Sequence, residues 1–144
     1  MKIIFPLLAL AGGIAIAFQS QINGGLGKKT GAIEASFISF AIGALALFFV
    51  LIFFGKGHVS AVSAVPKWQL IGGLLGAFYV SVMVFTVPSI GVAQTLVAVI
   101  AGQIITGAVI DHLGLLGGNQ ISLDAKRITA ILLLLVSLYL FNKK

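Results

Sequence analysis

The sequence predicts an all-α, polytopic membrane protein with five transmembrane helices, and three observations carry that expectation. Of its 144 residues, 60% are hydrophobic and only 8% are charged, whereas an ordinary soluble domain is about 25% charged. Mean hydropathy is +1.20, and a soluble fold of this size exposes too much surface to hide so much apolar area. The apolar residues come in runs close to the roughly 20 that a helix needs to cross a bilayer. No barrel-like alternation of period two is present. Lipid cannot satisfy backbone polar groups, so every span is expected to be helical.

Taken in order, the spans fall at residues 3–22, 32–54, 69–87, 92–110 and 128–141, within a single membrane domain covering 1–144. The opening MKIIFPLLALAGGIAIA also fits a signal peptide, with Lys2 as its basic region and Ala15-Ile16-Ala17 as a cleavage site. The equally apolar remainder of the chain favours a first membrane span instead. NGGLGKKTG reads as a charged, glycine-rich turn, and GKGHVSAVSAVPK as a polar loop whose Pro66 suits a first helical turn. VPSIG reads as a very tight hairpin, and HLGLLGGNQISLDAKR as a partly apolar connection at the interface. The last span is short, and snorkelling by Lys126, Arg127, Lys143 and Lys144 would extend it. Trp68 and Tyr139 sit near span ends, as interfacial aromatics do.

Small residues recur at four-residue spacing: Ala9, Gly13 and Ala17; Ala35, Ser39 and Gly43; Gly72 and Gly76; Ala98, Gly102 and Thr106. Such stripes let membrane helices approach closely, so Gly13, Gly43, Gly72, Gly76 and Gly102 are expected at helix contacts.

Five spans put the termini on opposite faces. Lys2, Lys56, Lys67, Lys126 and Arg127 then share one face, and Lys28, Lys29, Lys143 and Lys144 the other. Cytoplasmic loops normally carry a clear excess of Lys and Arg, and this distribution has almost none. A chain without orientational bias inserts both ways and can pair with an inverted copy of itself. Two chains then supply the inverted repeats that larger transporters hold in one. An antiparallel homodimer is therefore expected, with Glu34 of one copy on the same face as the partner's Asp111. A single fixed orientation, set by other factors, is the competing reading.

Polar side chains within spans usually face a protein interior or a cavity. Gln19 and Asn23 share a helical face, Gln103, Thr106 and Asp111 share a stripe, and Tyr79 lies one turn beyond Gly76. Gln19, Tyr79, Gln103 and Thr106 are the candidates for a crevice holding a small solute; the two glutamines equally suit hydrogen bonding between helices. Asn23, Glu34 and Asp111 are secondary candidates. Asn23 also fits a helix C-terminus, Glu34 a helix N-terminus where the macrodipole favours a carboxylate, and Asp111 a capping or interfacial position.

Little suggests catalysis. There is no cysteine, the two histidines form no HExxH-type pair, and no span holds two acids. GGLGKKTG lacks the spacing of a phosphate-binding loop. No enzyme activity, cofactor or metal is expected. The net charge of +6 is scattered between apolar runs rather than gathered in a stripe, so the partners expected are membrane lipid, a solute and a second copy, with no nucleic acid.

FQSQINGGLGKKTGA, ASFISFAIGALAL, PKWQLIGGLLGAFYV and VPSIGVAQTLVAVIAGQIITGAVIDHLGLLG together resemble the YdcZ-like family of bacterial inner-membrane proteins. The most specific pieces are Gln19 with Asn23, the run Gly72 to Gly76, Gly102-Gln103, and Ile110-Asp111-His112 followed by Gly114. That family is similar to one five-helix half of the drug/metabolite transporter superfamily. The resemblance implies a small dimeric protein of the inner membrane that works like a secondary transporter. Small multidrug exporters carry a glutamate deep in their first span, where this chain has only Gln19 as a deep polar group. A neutral or amphipathic solute therefore fits better than a cationic drug exchanged for protons. A dual-topology channel, and a non-transporting accessory or lipid-interacting protein, are the alternative expectations.

Overall fold

The computed structural model describes residues 3–143; Lys2 and Lys144, both counted in the charge distribution, lie outside the described residues. Among the described residues there are five long helices: α1 (Ile4–Thr30), α2 (Ala32–Phe54), α3 (Ile71–Ile90), α4 (Val92–Leu113) and α5 (Ala125–Asn142). Each is long and apolar enough to cross a membrane. Among the described residues there is no strand. The all-α, five-helix expectation holds.

The helix boundaries correct the sequence reading in three places. NGGLGKKTG is not a turn, because α1 continues through it to Thr30. Glycine costs about 1 kcal/mol against alanine in a helix, but an unsatisfied backbone group in hydrocarbon costs several. The helix therefore persists until Gly31, whose φ of 101° suits glycine alone. The Gly31 amide closes α1 by donating to the Gly27 carbonyl at 3.0 Å. VPSIG likewise stays helical to Ile90, with Pro88 inside α3, and the break falls on Gly91 at φ 85°. α5 begins at Ala125, ahead of its expected start at residue 128: the Asp124 carboxylate accepts from the Arg127 amide at 2.8 Å and caps an 18-residue helix. Pro66 precedes a 3₁₀ turn, Lys67–Leu70, that leads into α3.

The described residues form two packed units, one up to Ser89 and the other from Ile90 onward. In the first, Ala35, Val80 and Val84 make a small core, with Leu26, Ala32 and Tyr79 packed around it. The absent side chain of Gly27 leaves room for Val84 Cγ1, and that of Gly24 for Val87 and Pro88. Among the glycines expected at helix contacts, Gly76 faces Phe40, while nothing lies within 4 Å of where a Cβ would sit on Gly13, Gly43, Gly72 or Gly102. Within the first unit the close approach is made at Gly24 and Gly27, since Val84 and Val87 of α3 land on the segment where α1 runs beyond its expected end.

In the second unit α4 and α5 run antiparallel. Gln94 Nε2 donates to Asn142 Oδ1 at one end, and Asp111 meets Arg127 at the other. After α4, Gly114 adopts the left-handed conformation and the chain folds back on the helix end. There the Ile121 amide donates to the Asp111 carbonyl at 2.7 Å, and the Leu123 amide to His112 Nδ1 at 3.2 Å.

Gly27→Ala should lower the unfolding midpoint in detergent micelles, with a loss of about 1–3 kcal/mol from overpacking against the stiff Val84 side chain. Gly25→Ala, on an open side of the same helix, should be neutral or stabilising by up to about 1 kcal/mol. Equal effects of the two substitutions would contradict the α1–α3 contact.

Candidate functional site

Polar side chains in the first unit divide into those that are partnered and one that is not. The hydroxyls of Ser20 and Ser36 return to the carbonyls four residues back, Ile16 at 2.6 Å and Ala32 at 2.8 Å. Asn23, only 6% exposed, donates from Nδ2 to Ser39 Oγ at 3.0 Å and ties α1 to α2. It is an interior residue rather than a helix C-terminal one, because α1 extends past it. Gln19 lies one turn earlier on the same face and lines an open cleft of about 230 Å³ with Ser39, Phe40, Gly43, Ala44, Leu47 and Val80. Its amide is exposed and pairs with no side chain among the described residues. A rise of about 1.5 Å per residue puts it roughly 14 Å along the helix from Lys28. Tyr79 packs beside the core and forms no part of the cleft wall.

Glu34 is exposed in the first turn of α2, with its carboxylate folded over Gly31. That is where the helix dipole favours a negative charge.

In the second unit an open cleft of about 340 Å³ runs between α4 and α5. Its walls are Ile104, Gly107, Ala108, Ala130 and Ile131, with Asp111 and Arg127 at its mouth. Asp111 Oδ2 stands 3.6 Å from Arg127 Nη1, while the cap of α4 is made by the left-handed Gly114. The Asp111 side chain is therefore ionic rather than capping. Gln103 and Thr106 are exposed on α4 and stand outside the wall of this cleft.

Sequence reasoning missed two pairings, Gln94 with Asn142 and Asp111 with Arg127, since each joins residues far apart in the chain. Ser39 appeared only as a small packing residue, although its spacing from Ala35 and Gly43 had put it on the correct face. Among the described residues no three of His, Asp or Glu gather as a metal site would require.

Residues 4–140 match the family model described as "Putative inner membrane exporter, YdcZ". The chain belongs to the YdcZ family. It is also similar to Inner membrane protein YdcZ of Escherichia coli (strain K12), being 28% identical over 105 residues that cover 71% of this chain and 70% of that one. No solved structure matches it. The family's description is that of an inner-membrane exporter and not of an enzyme, and with five apolar helices this member is a multi-pass protein of the inner membrane.

The Asn23–Ser39 bond makes a measurable prediction. A double-mutant cycle with Asn23→Ala and Ser39→Ala, read from unfolding in micelles, should give a coupling of about 0.6 kcal/mol and no more than about 1.7. Additive single effects would remove the bond as a link between α1 and α2.

Proposed function

We propose that this YdcZ-family chain is a half-transporter. Two copies, inserted in opposite orientations, pair as an antiparallel homodimer and move a small neutral or amphipathic solute through a polar crevice. One observation carries the reading: Gln19 and Gln103 are amides within helices long and apolar enough to cross a membrane, and neither is covered within its own unit. An amide left without a hydrogen bond in hydrocarbon costs several kcal/mol, so each calls for a second copy, a water-filled crevice or both. Gln19, Tyr79, Gln103 and Thr106 are the residues assigned to the crevice. Asn23 holds one wall of the α1–α2 cleft through Ser39, and Glu34 and Asp111 stand at the membrane boundaries.

Two further facts support pairing. The apolar windows of α2 and α5 contain no buried residue, as suits helices that face lipid or a second copy. The near-even distribution of lysine and arginine leaves either orientation open. Neutral or amphipathic cargo suits a lining of amides, a phenol and a hydroxyl, and no acidic residue lies in α1 to exchange protons. Alternating access is then a rocking of one copy against the other around a fixed site. No catalytic step is part of this function.

In vesicles containing the reconstituted protein, screened against a panel of neutral and amphipathic solutes, Gln19→Ala and Gln103→Ala should each slow transport about tenfold or more while leaving the unfolding midpoint unchanged. Loss of stability with intact transport would make both glutamines structural. Reporters fused to the C-terminus should be found on both sides of the membrane, and a signal from one side alone would overturn the same-chain inverted pair.

A further inference from the structure

The cleft between α4 and α5 has no part in the crevice described above, and its chemistry is divided along its length. Below the mouth its walls are apolar or small, with Gly107, Ala108 and Ala130 supplying the space and Ile104 and Ile131 the greasy surface. The mouth holds one carboxylate and one guanidinium. Their 3.6 Å separation exceeds the 2.7–2.9 Å or so of a strong charge-assisted hydrogen bond. The two side chains keep 40% and 46% of their surface exposed, so each has capacity for another partner. Asp111 lies in the last turn of α4 and Arg127 in the first turn of α5, which places the mouth at a membrane boundary and the walls in hydrocarbon.

A ligand fitted to this site has its charge at the boundary and an apolar tail running along the helices. That division of polarity is the one a membrane lipid has at its headgroup and the adjoining part of a tail. The balance of charge narrows the headgroup. An anionic head without an amine would face the Asp111 carboxylate, and a purely cationic head would face Arg127. A head carrying both signs satisfies both side chains, its phosphate taking the guanidinium fork and its ammonium donating to Asp111. A quaternary ammonium has no N–H to donate, so a primary amine fits best. Neighbouring charges do not upset this balance. The Asp124 carboxylate is occupied by the Arg127 amide, His112 Nδ1 accepts from the Leu123 amide, and Lys126 lines a separate groove with Thr129 and Leu133.

We propose that the α4–α5 cleft is a specific site for a zwitterionic phospholipid with a primary-ammonium head, held by Arg127 at its phosphate and by Asp111 at its amine. The site lies wholly within the unit from Ile90 onward, and it stands whether or not the transport reading does.

The test is lipid titration of the purified full chain in non-ionic micelles, with bound lipid counted by native mass spectrometry. Phosphatidylethanolamine should bind about tenfold tighter than phosphatidylcholine or phosphatidylglycerol, a difference of about 1.4 kcal/mol. Asp111→Asn should shift the preference to phosphatidylglycerol, and Arg127→Gln should abolish retention of all three. The reversed pair, Asp111→Arg with Arg127→Asp, should restore the phosphatidylethanolamine preference, which a structural role for the ion pair alone would not do. Ala130→Phe fills the cleft without touching a charge and should remove binding, so the test survives if a charge variant fails to fold. Equal binding of the three lipids overturns the proposal, as do a wild-type preference for phosphatidylglycerol and a preference unaltered by Asp111→Asn. Absence of any retained lipid, as when a second copy or a solute fills the cleft, overturns it as well.

Discussion

Hydrocarbon offers a polar group nothing to bond to, and nearly every feature of this chain follows from that constraint. It keeps α1 helical through Asn23-Gly24-Gly25 and onward to Thr30, where the same residues in water would favour a turn. It turns the hydroxyls of Ser20, Ser36, Ser81, Thr86 and Thr95 back onto the carbonyls of the preceding turn. It also pairs Asn23 with Ser39, the bond that connects α1 to α2. Hydrophobic burial cannot order these helices, because lipid tails are as apolar as leucine. Order comes instead from polar pairs and from the close fit of Gly24 and Gly27 against Val84, Val87 and Pro88.

The second unit shows the same constraint at its ends. Gln94 and Asp111 lie about 25 Å apart along α4 at the usual helical rise, a little less than a hydrocarbon core of about 30 Å. The two polar pairs, one of amides and one ionic, therefore fall near opposite boundaries of the bilayer. They fasten α4 to α5 where water and headgroups make charge tolerable, and leave the intervening surface to small and branched apolar residues. A long ionic contact at the boundary costs little to open, unlike a buried pair, whose rupture strands a charge in low dielectric.

Much of the fold was legible because lipid simplifies the reading of a sequence. Length and hydropathy alone identify five helices, and α2 matches its expected limits residue for residue. Boundaries failed where soluble-protein logic was applied within the bilayer, at the glycines after Asn23 and at Pro88. The start of α5 was hidden for another reason: Asp124 and Arg127 are polar, and only their capping bond shows that they begin a helix. The candidate site was half legible. Gln19 and Asn23 share a face by periodicity, but which of the two is already bonded depends on Ser39, a residue on another helix. The pairing of Asp111 with Arg127 needed the α4–α5 packing, which no local pattern encodes.

The two polar pairs also bear on the inverted dimer proposed for this chain. A single copy gives one membrane boundary an ionic pair and the other a pair of amides, so its two faces are chemically unlike. Joining it to an inverted copy gives each boundary one pair of each kind. The lysines and arginines then divide evenly as well, because every cation on one face is matched by its twin on the other. Such an assembly has no preferred orientation as a whole, although each half within it is asymmetric. Selection acting on the pair would therefore tolerate a weak positive-inside signal in the single chain. The near-even cations and the unlike ends of α4–α5 are thus compatible features of the proposed arrangement.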